Sequence, residues 1–205
     1  MKILIGVPCM EQAPIEYINS MLRLKKPEGT ETVHVPLCLV YVAREKIVDH
    51  AINGEFDYVM FLDSDMVFTS DLLMKLLAHD KDIITALAFQ RKPPYSPCIY
   101  SKMRMGDPGE AVIEAVKHYS NGVMEIEGCG MACVLIKTEV FKKIRATGQL
   151  CYFPIRGVGE DFAFCYRAKK LGYKIYADTS LKVGHVGSVI CTEDTYKAWN
   201  EVTGI

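Results

Sequence analysis

A chain of 205 residues, 50% of them hydrophobic and 24% charged, has the size and balance of one compact globular domain, 1–205, that buries a core without staples. Its formal net charge of −1 supplies no broad cationic field, which argues against a nucleic-acid partner, and any polyanionic ligand needs a local basic site. The eight cysteines (Cys9, Cys38, Cys98, Cys129, Cys133, Cys151, Cys165 and Cys191) form no C-x-x-C pair and fall mostly in apolar runs, which points to free thiols and a cytoplasmic protein.

In chain order, Lys2 to Val7 is a short apolar run stopped by Pro8, expected as a buried strand opening into a loop. It is too short for a signal-peptide core, and no other apolar run approaches the ~18–20 residues of a membrane span. Pro14 to Leu24 carries Ile15, Ile18, Met21 and Leu22 at helical spacing, and Thr32 to Val35 is a second strand. Val42 to Ile52 is a helix closed by Asn53-Gly54, and Tyr58 to Leu62 is a further apolar strand. Leu72 to Ala78 is helical, with Ser70-Asp71 expected as its cap, and Asp82 to Phe89 is again a strand. Strands alternating with amphipathic helices predict βαβ units in a largely parallel sheet covered on both faces.

The second half differs. Between Arg91 and Ile126 stand Pro93-Pro94, Pro97, Gly106-Asp107-Pro108-Gly109 and two β-rich pieces, Ala111 to Val116 and Val123 to Ile126, which predict hairpins and loops. Such an insertion commonly walls a site on an α/β scaffold. An apolar stretch from Met131 to Ile136, a helix from Thr138 to Thr147, a helix from Glu160 to Leu171 ended by Gly172, a strand Lys174 to Ala177 and a last helix Thr192 to Val202 complete the chain.

The most informative spot is Asp63-Ser64-Asp65, where an apolar strand ends in two acids. Ligands of open α/β sheets sit outside the carboxyl ends of strands. Two neighbouring carboxylates repel, and a hard divalent cation is the usual remedy, able in turn to hold a diphosphate. The plain alternative is a turn in which one aspartate bonds local N–H groups. Gly157-Val158-Gly159-Glu160-Asp161 places two acids at a helix start, where the dipole alone would also favour them. His185, between Gly184 and Val186-Gly187, is either a metal ligand or a hydrogen-bonded loop histidine.

Taken in order, Asp63-Ser64-Asp65, Gly128-Cys129-Gly130-Met131, Glu160-Asp161-Phe162 with Tyr166-Arg167-Ala168 and Leu171-Gly172-Tyr173, and then His185 resemble the GT-A glycosyltransferases, especially the family 2-like group. The likeness extends over nearly the whole chain. It implies a Rossmann-like α/β/α sandwich with a mostly parallel central sheet and a small antiparallel β extension. It also implies sugar transfer from a nucleoside diphosphate sugar, UDP- or GDP-linked, to a glycan, peptide or small-molecule acceptor. By the same resemblance, Asp63, Asp65 and His185 would hold Mn²⁺ or Mg²⁺. Pro8, Cys9, Met10, Arg44, Ser64 and Gln90 would line the donor. Gly128, Cys129, Gly130 and Met131 would face the acceptor or sugar. Asp161 would be the general base of an inverting reaction, with Glu160 positioning it or the acceptor. One departure is Glu45, which stands where related sequences often carry Asn after Ala-Arg, so Arg44 is also readable as a solvated helix residue. Two other functions remain open. One is a haloacid-dehalogenase-type phosphatase using Asp63 and Asp65, although its motif normally lies at the first strand. The other is a nucleotide- or glycan-binding domain without turnover.

Overall fold

Strands buried on both faces read as continuous apolar runs, and those of the first half fold accordingly. The computed structural model describes residues 1–105, 111–155, 157–187 and 189–204. The elements in chain order are β1 (Ile3–Cys9), α1 (Ile15–Arg23), β2 (Thr30–Pro36), α2 (Val40–Asn53), β3 (Tyr58–Leu62), β4 (Met66–Val67), α3 (Leu72–Ala78) and β5 (Ile83–Leu87). There follow β6 (Ile99–Met105), β7 (Ala111–Ala115), β8 (Val123–Ile126), β9 (Gly128–Cys129), β10 (Cys133–Lys137), α4 (Thr138–Ala146) and α5 (Glu160–Lys170). The chain closes with β11 (Ile175–Lys182), β12 (Gly184–Val186), β13 (Ile190–Cys191) and α6 (Glu193–Thr203). The Gly106-Asp107-Pro108-Gly109 turn expected from the sequence lies outside the described residues.

The central sheet has seven strands in the order β2-β1-β3-β10-β5-β11-β8. β2, β1 and β3 run parallel, as do β5 and β11. β10 is antiparallel to both β3 and β5, and β8 is antiparallel to β11. The sheet is therefore mostly parallel, with one reversed strand in its middle and one at its edge. Two three-stranded sheets flank it, β13-β12-β4 and β7-β6-β9, and both are antiparallel.

Apolar side chains pack on both faces of the central sheet. Leu4, Phe61, Val134 and Ile136 join α2, α4 and α5 residues such as Ile47, Val48, Phe141 and Phe164 on one face. Ile3, Ile5, Met60 and Leu62 join Leu72, Leu73 and Leu76 of α3 on the other. Each such fully buried side chain contributes roughly 1.5–3 kcal/mol. Gly6 lets α2 approach the sheet, because a Cβ there would lie 2.3 Å from Ile47 Cγ2. Tyr152 stacks on Phe164 of α5 at 4.9 Å and meets Phe61 of β3 edge-on at 5.2 Å, so α5 is fixed against the strand that leads to Asp63.

Several local expectations are corrected. Asp71 does not cap α3 through its side chain; its Oδ1 accepts from the Thr69 hydroxyl, and its Oδ2 pairs with Lys75. The side-chain cap is found instead on α6, where Thr192 and Thr195 form a reciprocal box. The eight cysteines are all free thiols. Among the described residues no helix is long and apolar enough to cross a membrane.

Candidate functional site

β1 and β3 are parallel neighbours, so their carboxyl ends open on one edge of the sheet. A cavity of about 240 Å³ lies there, walled by Pro8, Cys9 and Met10 after β1, Cys38 and Val40 at the entry to α2, and Asp63-Ser64-Asp65 after β3. Arg91 and His185 complete the wall. The two acids are set by a tight loop: Asp63 N–H donates to Ala132 O at 2.9 Å, and Met66 N–H donates to Asp63 O at 3.3 Å. β4 then pairs with β12, placing His185 opposite Met66, while Val186 N–H donates to Asp65 O at 2.8 Å. A histidine 120 residues downstream is thereby laid against the acidic loop.

Asp65 faces an arginine and a histidine. Its Oδ2 lies 2.9 Å from Arg91 Nη1 and 3.3 Å from His185 Nε2. Burial pushes the Asp65 carboxyl up, but the His185 hydrogen bond and the His185 and Arg91 charges prevail and hold it below its ordinary value. Burial lowers the His185 pKa, yet Asp65 and the Phe89 carbonyl outweigh it and raise it. His185 Nδ1 lies 2.9 Å from Phe89 O. A carbonyl only accepts, so Nδ1 carries a proton and Nε2 is the nitrogen turned to Asp65.

This pair fits a divalent cation. Among the described residues the enclosed Asp65 Oδ1 has no hydrogen-bond partner, and a backbone carbonyl that fixes Nδ1 is the usual outer support of an Nε2 ligand. Asp63 is differently engaged, since Arg44 Nη2 donates to its Oδ1 at 3.0 Å. Among the described residues no group of three or more His, Cys, Asp or Glu side chains forms a closed metal cage. Two protein donors completed by substrate phosphates are the pattern expected of Mg²⁺ rather than of a dedicated cage.

Arg44 is no solvated helix residue. Its side chain is 2% exposed, with the guanidinium 5.4 Å from the Phe61 ring centre and Nη1 3.5 Å from Met131 O. Its Nε lies 3.6 Å from Glu160 Oε1, so one buried cation links the strand-end Asp63 to the start of α5. Burial acts to lower the Arg44 pKa, but Asp63, Asp161, Tyr152 and Glu160 raise it above the ordinary arginine value. Asp161, next on α5, has its Oδ1 enclosed, with no partner among the described residues. Burial pushes its carboxyl up to about 8; Arg44 opposes this, while Glu160 and Asp63 add to it. That moves the carboxyl toward the range in which a general base works.

Glu45 also finds its explanation. It accepts from Tyr152 N–H and pairs with Arg145 Nη2 at 2.6 Å, so it anchors the segment that carries the Tyr152 ring beneath the site. Other residues lie differently from the sequence expectation. Gln90 is exposed and absent from the cavity wall, and its neighbour Arg91 holds Asp65 instead. Cys129 and Met131 are core side chains, 0% and 1% exposed, and so form no open acceptor wall. Gly128 is buried in β9, where a Cβ would meet Met103 Cε at 2.3 Å. Of these four, Gly130 comes near Asp161, whose Oδ2 lies 3.6 Å from where its Cβ would stand. Cys38 and Val40 were missed because nothing in their local sequence marks a site; they reach it through the parallel pairing of β2 with β1.

The topology and the acids at the carboxyl ends of parallel strands define a GT-A-like α/β fold. Solved structures agree: A197 from STIV superposes with a TM-score of 0.69 at 24% identity, over 91% of this chain and 86% of that one. TarS residues 1–349 from S. aureus, crystallised in complex with UDP-GlcNAc, gives a TM-score of 0.56 at 17% identity over 86% of this chain and 56% of that one. Among curated proteins, the mannan polymerase complex subunit MNN9 of Candida albicans is 25% identical over 183 residues, 72% of this chain. The chain spans about half of that relative, 48% of its length. No family model matches. Together these likenesses support the GT-A-like fold.

Proposed function

We propose that this chain transfers a sugar from a UDP- or GDP-linked donor to an acceptor hydroxyl of a glycan, peptide or small molecule, with inversion. The observation that carries the reading is the juxtaposition made by Arg44: Asp63, in the wall of a cavity at the carboxyl ends of β1 and β3, is tied to Glu160 of the half-buried Glu160–Asp161 pair. TarS, of similar fold, is solved with UDP-GlcNAc bound, which agrees with a nucleotide-sugar donor.

Asp65 and His185 would hold Mn²⁺ or Mg²⁺ together with the donor phosphates. When bound, the cation neutralises charge on the departing diphosphate. Arg91, at the rim of the same cavity, brings a planar guanidinium suited to a phosphate oxygen. Pro8, Cys9 and Met10 flank the base and ribose. The acceptor oxygen attacks the anomeric carbon, the bond from that carbon to the diphosphate oxygen breaks, and Asp161 takes the hydroxyl proton. Arg44 keeps Asp63 and Glu160 in register around this base. The phosphatase reading would need Asp63 as a nucleophile, whereas Arg44 engages its Oδ1 and burial, partly offset by Arg44, raises its carboxyl.

Thermal shift against UDP-, GDP-, CDP- and dTDP-sugars, with and without Mn²⁺, tests the reading. Stabilisation is expected only with the metal and one nucleotide class, reaching about 2.7 kcal/mol at a hundredfold excess over Kd. No stabilisation by any of the four would reject it.

A further inference from the structure

A second cavity, of about 900 Å³, shares no residue with the donor cavity. Its volume falls in the roughly 300–1,000 Å³ range of small-ligand sites. Residues 115–119 form one wall and α6 the other. The two cavities are separated by the ribbon in which Phe89 bridges Pro97: Phe89 O holds His185 on one side, and its ring packs against Tyr196 of the second cavity at 5.9 Å on the other.

The lining chemistry is specific. Lys117, Lys182 and Lys197 face a single carboxylate, Glu193. Glu193 is shared by Lys182, by Lys197 at 3.6 Å and by the Tyr119 hydroxyl at 3.3 Å. Lys117 has no carboxylate partner among the described residues, so the cavity is left with an excess of positive charge. Tyr119 is tethered by its hydroxyl and Tyr196 by Phe89, which presents two positioned rings. Asn121 and Asn200 add amides that both donate and accept, as sugar hydroxyls require. Two further cavities, of about 450 and 440 Å³, also use Val116 and His118 but bring in Glu114, Glu125 and Glu127, so the positive excess is confined to the larger cavity.

We propose that this cavity binds a saccharide bearing a carboxylate or phosphate, its ring against Tyr119 and Tyr196 and its charge on Lys117 and Lys197. The inference goes beyond the sugar-transfer reading and stands apart from it: it assigns a second saccharide site, on the far side of the Phe89 ribbon from the donor cavity. The anionic sugar could be part of an extended glycan or a free sugar phosphate, and the two are separable by experiment.

Isothermal titration of the full chain with tetragalacturonate, glucose 1-phosphate and neutral maltotetraose tests it. At least one anionic probe is expected to bind fivefold or more tightly than maltotetraose; tetragalacturonate leading identifies an extended glycan, and glucose 1-phosphate leading a free sugar phosphate. Both lysines are exposed, so Lys117→Glu and Lys197→Glu should leave the fold intact. Each should weaken the anionic probe about tenfold and leave Mn²⁺-dependent nucleotide binding unchanged. Equal affinity for neutral and anionic probes, or no binding of any, would overturn the proposal. So would loss of the anionic probe on Arg91→Ala but not on Lys117→Glu, which would place it in the donor cavity. A chain that binds tetragalacturonate through Lys117 but no nucleotide sugar would retain this site and lose the transfer reading.

Discussion

Asp65 and Asp161 are both partly enclosed aspartates at the same end of the fold, yet their carboxyls are driven in opposite directions. Asp65 looks into an open cavity where His185 and Arg91 share one of its oxygens, and there its charge is stabilised. Asp161 sits at the start of α5 with one oxygen sealed off, beside two other acids and only one arginine, and there its proton is retained. Partnering, rather than burial itself, divides the roles: one acid is held ionised for binding, and the other is raised toward the range in which a general base works.

The largest expected effect falls on the proton carrier. Asp161→Asn keeps shape and removes the base, and transfer, followed as nucleotide release with acceptor present, should drop roughly 100- to 10,000-fold while donor binding persists. Normal transfer by this variant would remove Asp161 from the mechanism. Next is the link between the two regions. Arg44→Met strands Asp63 and Glu160 without their buried cation, and urea denaturation should show a loss of about 3–5 kcal/mol. Asp65→Ala is smaller and confined to binding: Mn²⁺-dependent nucleotide affinity should fall about tenfold or more in calorimetry. An unchanged affinity would exclude Asp65 from the cation site.

The smallest effect is a slope. Between the ordinary value of 3.8 and about 8, folded Asp161 keeps a proton that the unfolded chain releases. Stability therefore falls as pH rises across that window, and this contribution levels off above it. Asp161→Asn should flatten that part of the stability curve, whereas Asp65→Asn should not.

The same contrast separates what the sequence revealed from what it concealed. β1, β3 and the acids after β3 were legible because strands covered on both faces are unbroken apolar runs, and a polar pair at such an end stands out. The helix beginning Glu160-Asp161 was legible for the same reason. The reversed direction of β10 was not, since an apolar run carries no sense of direction. β4 and β12 escaped because two or three residues hold no period, although they bring His185 to Asp65. Arg91, within Gln90-Arg91-Lys92 at a strand end, was readable equally as part of a sugar or phosphate pocket and as an ordinary basic loop residue, and Glu45 resembled a lapse from a pattern. Both acquire meaning only through partners far along the chain, Asp65 for one and Tyr152 and Arg145 for the other. Of the acceptor residues assigned at Gly128–Met131, Gly128, Cys129 and Met131 lie deep while Gly130 stays near Asp161: a glycine-flanked segment can be a close-packed strand as readily as an open loop.

The central claim is that these two aspartates occupy opposite electrostatic environments, and ¹³C NMR titration of the aspartate carboxyl carbons in the metal-free chain measures it directly. The Asp161 resonance, assigned by its absence in Asp161→Asn, should titrate near 8, and that of Asp65 below the ordinary 3.8. Titration of Asp161 in the ordinary carboxylate range, beside Asp65, would contradict the account.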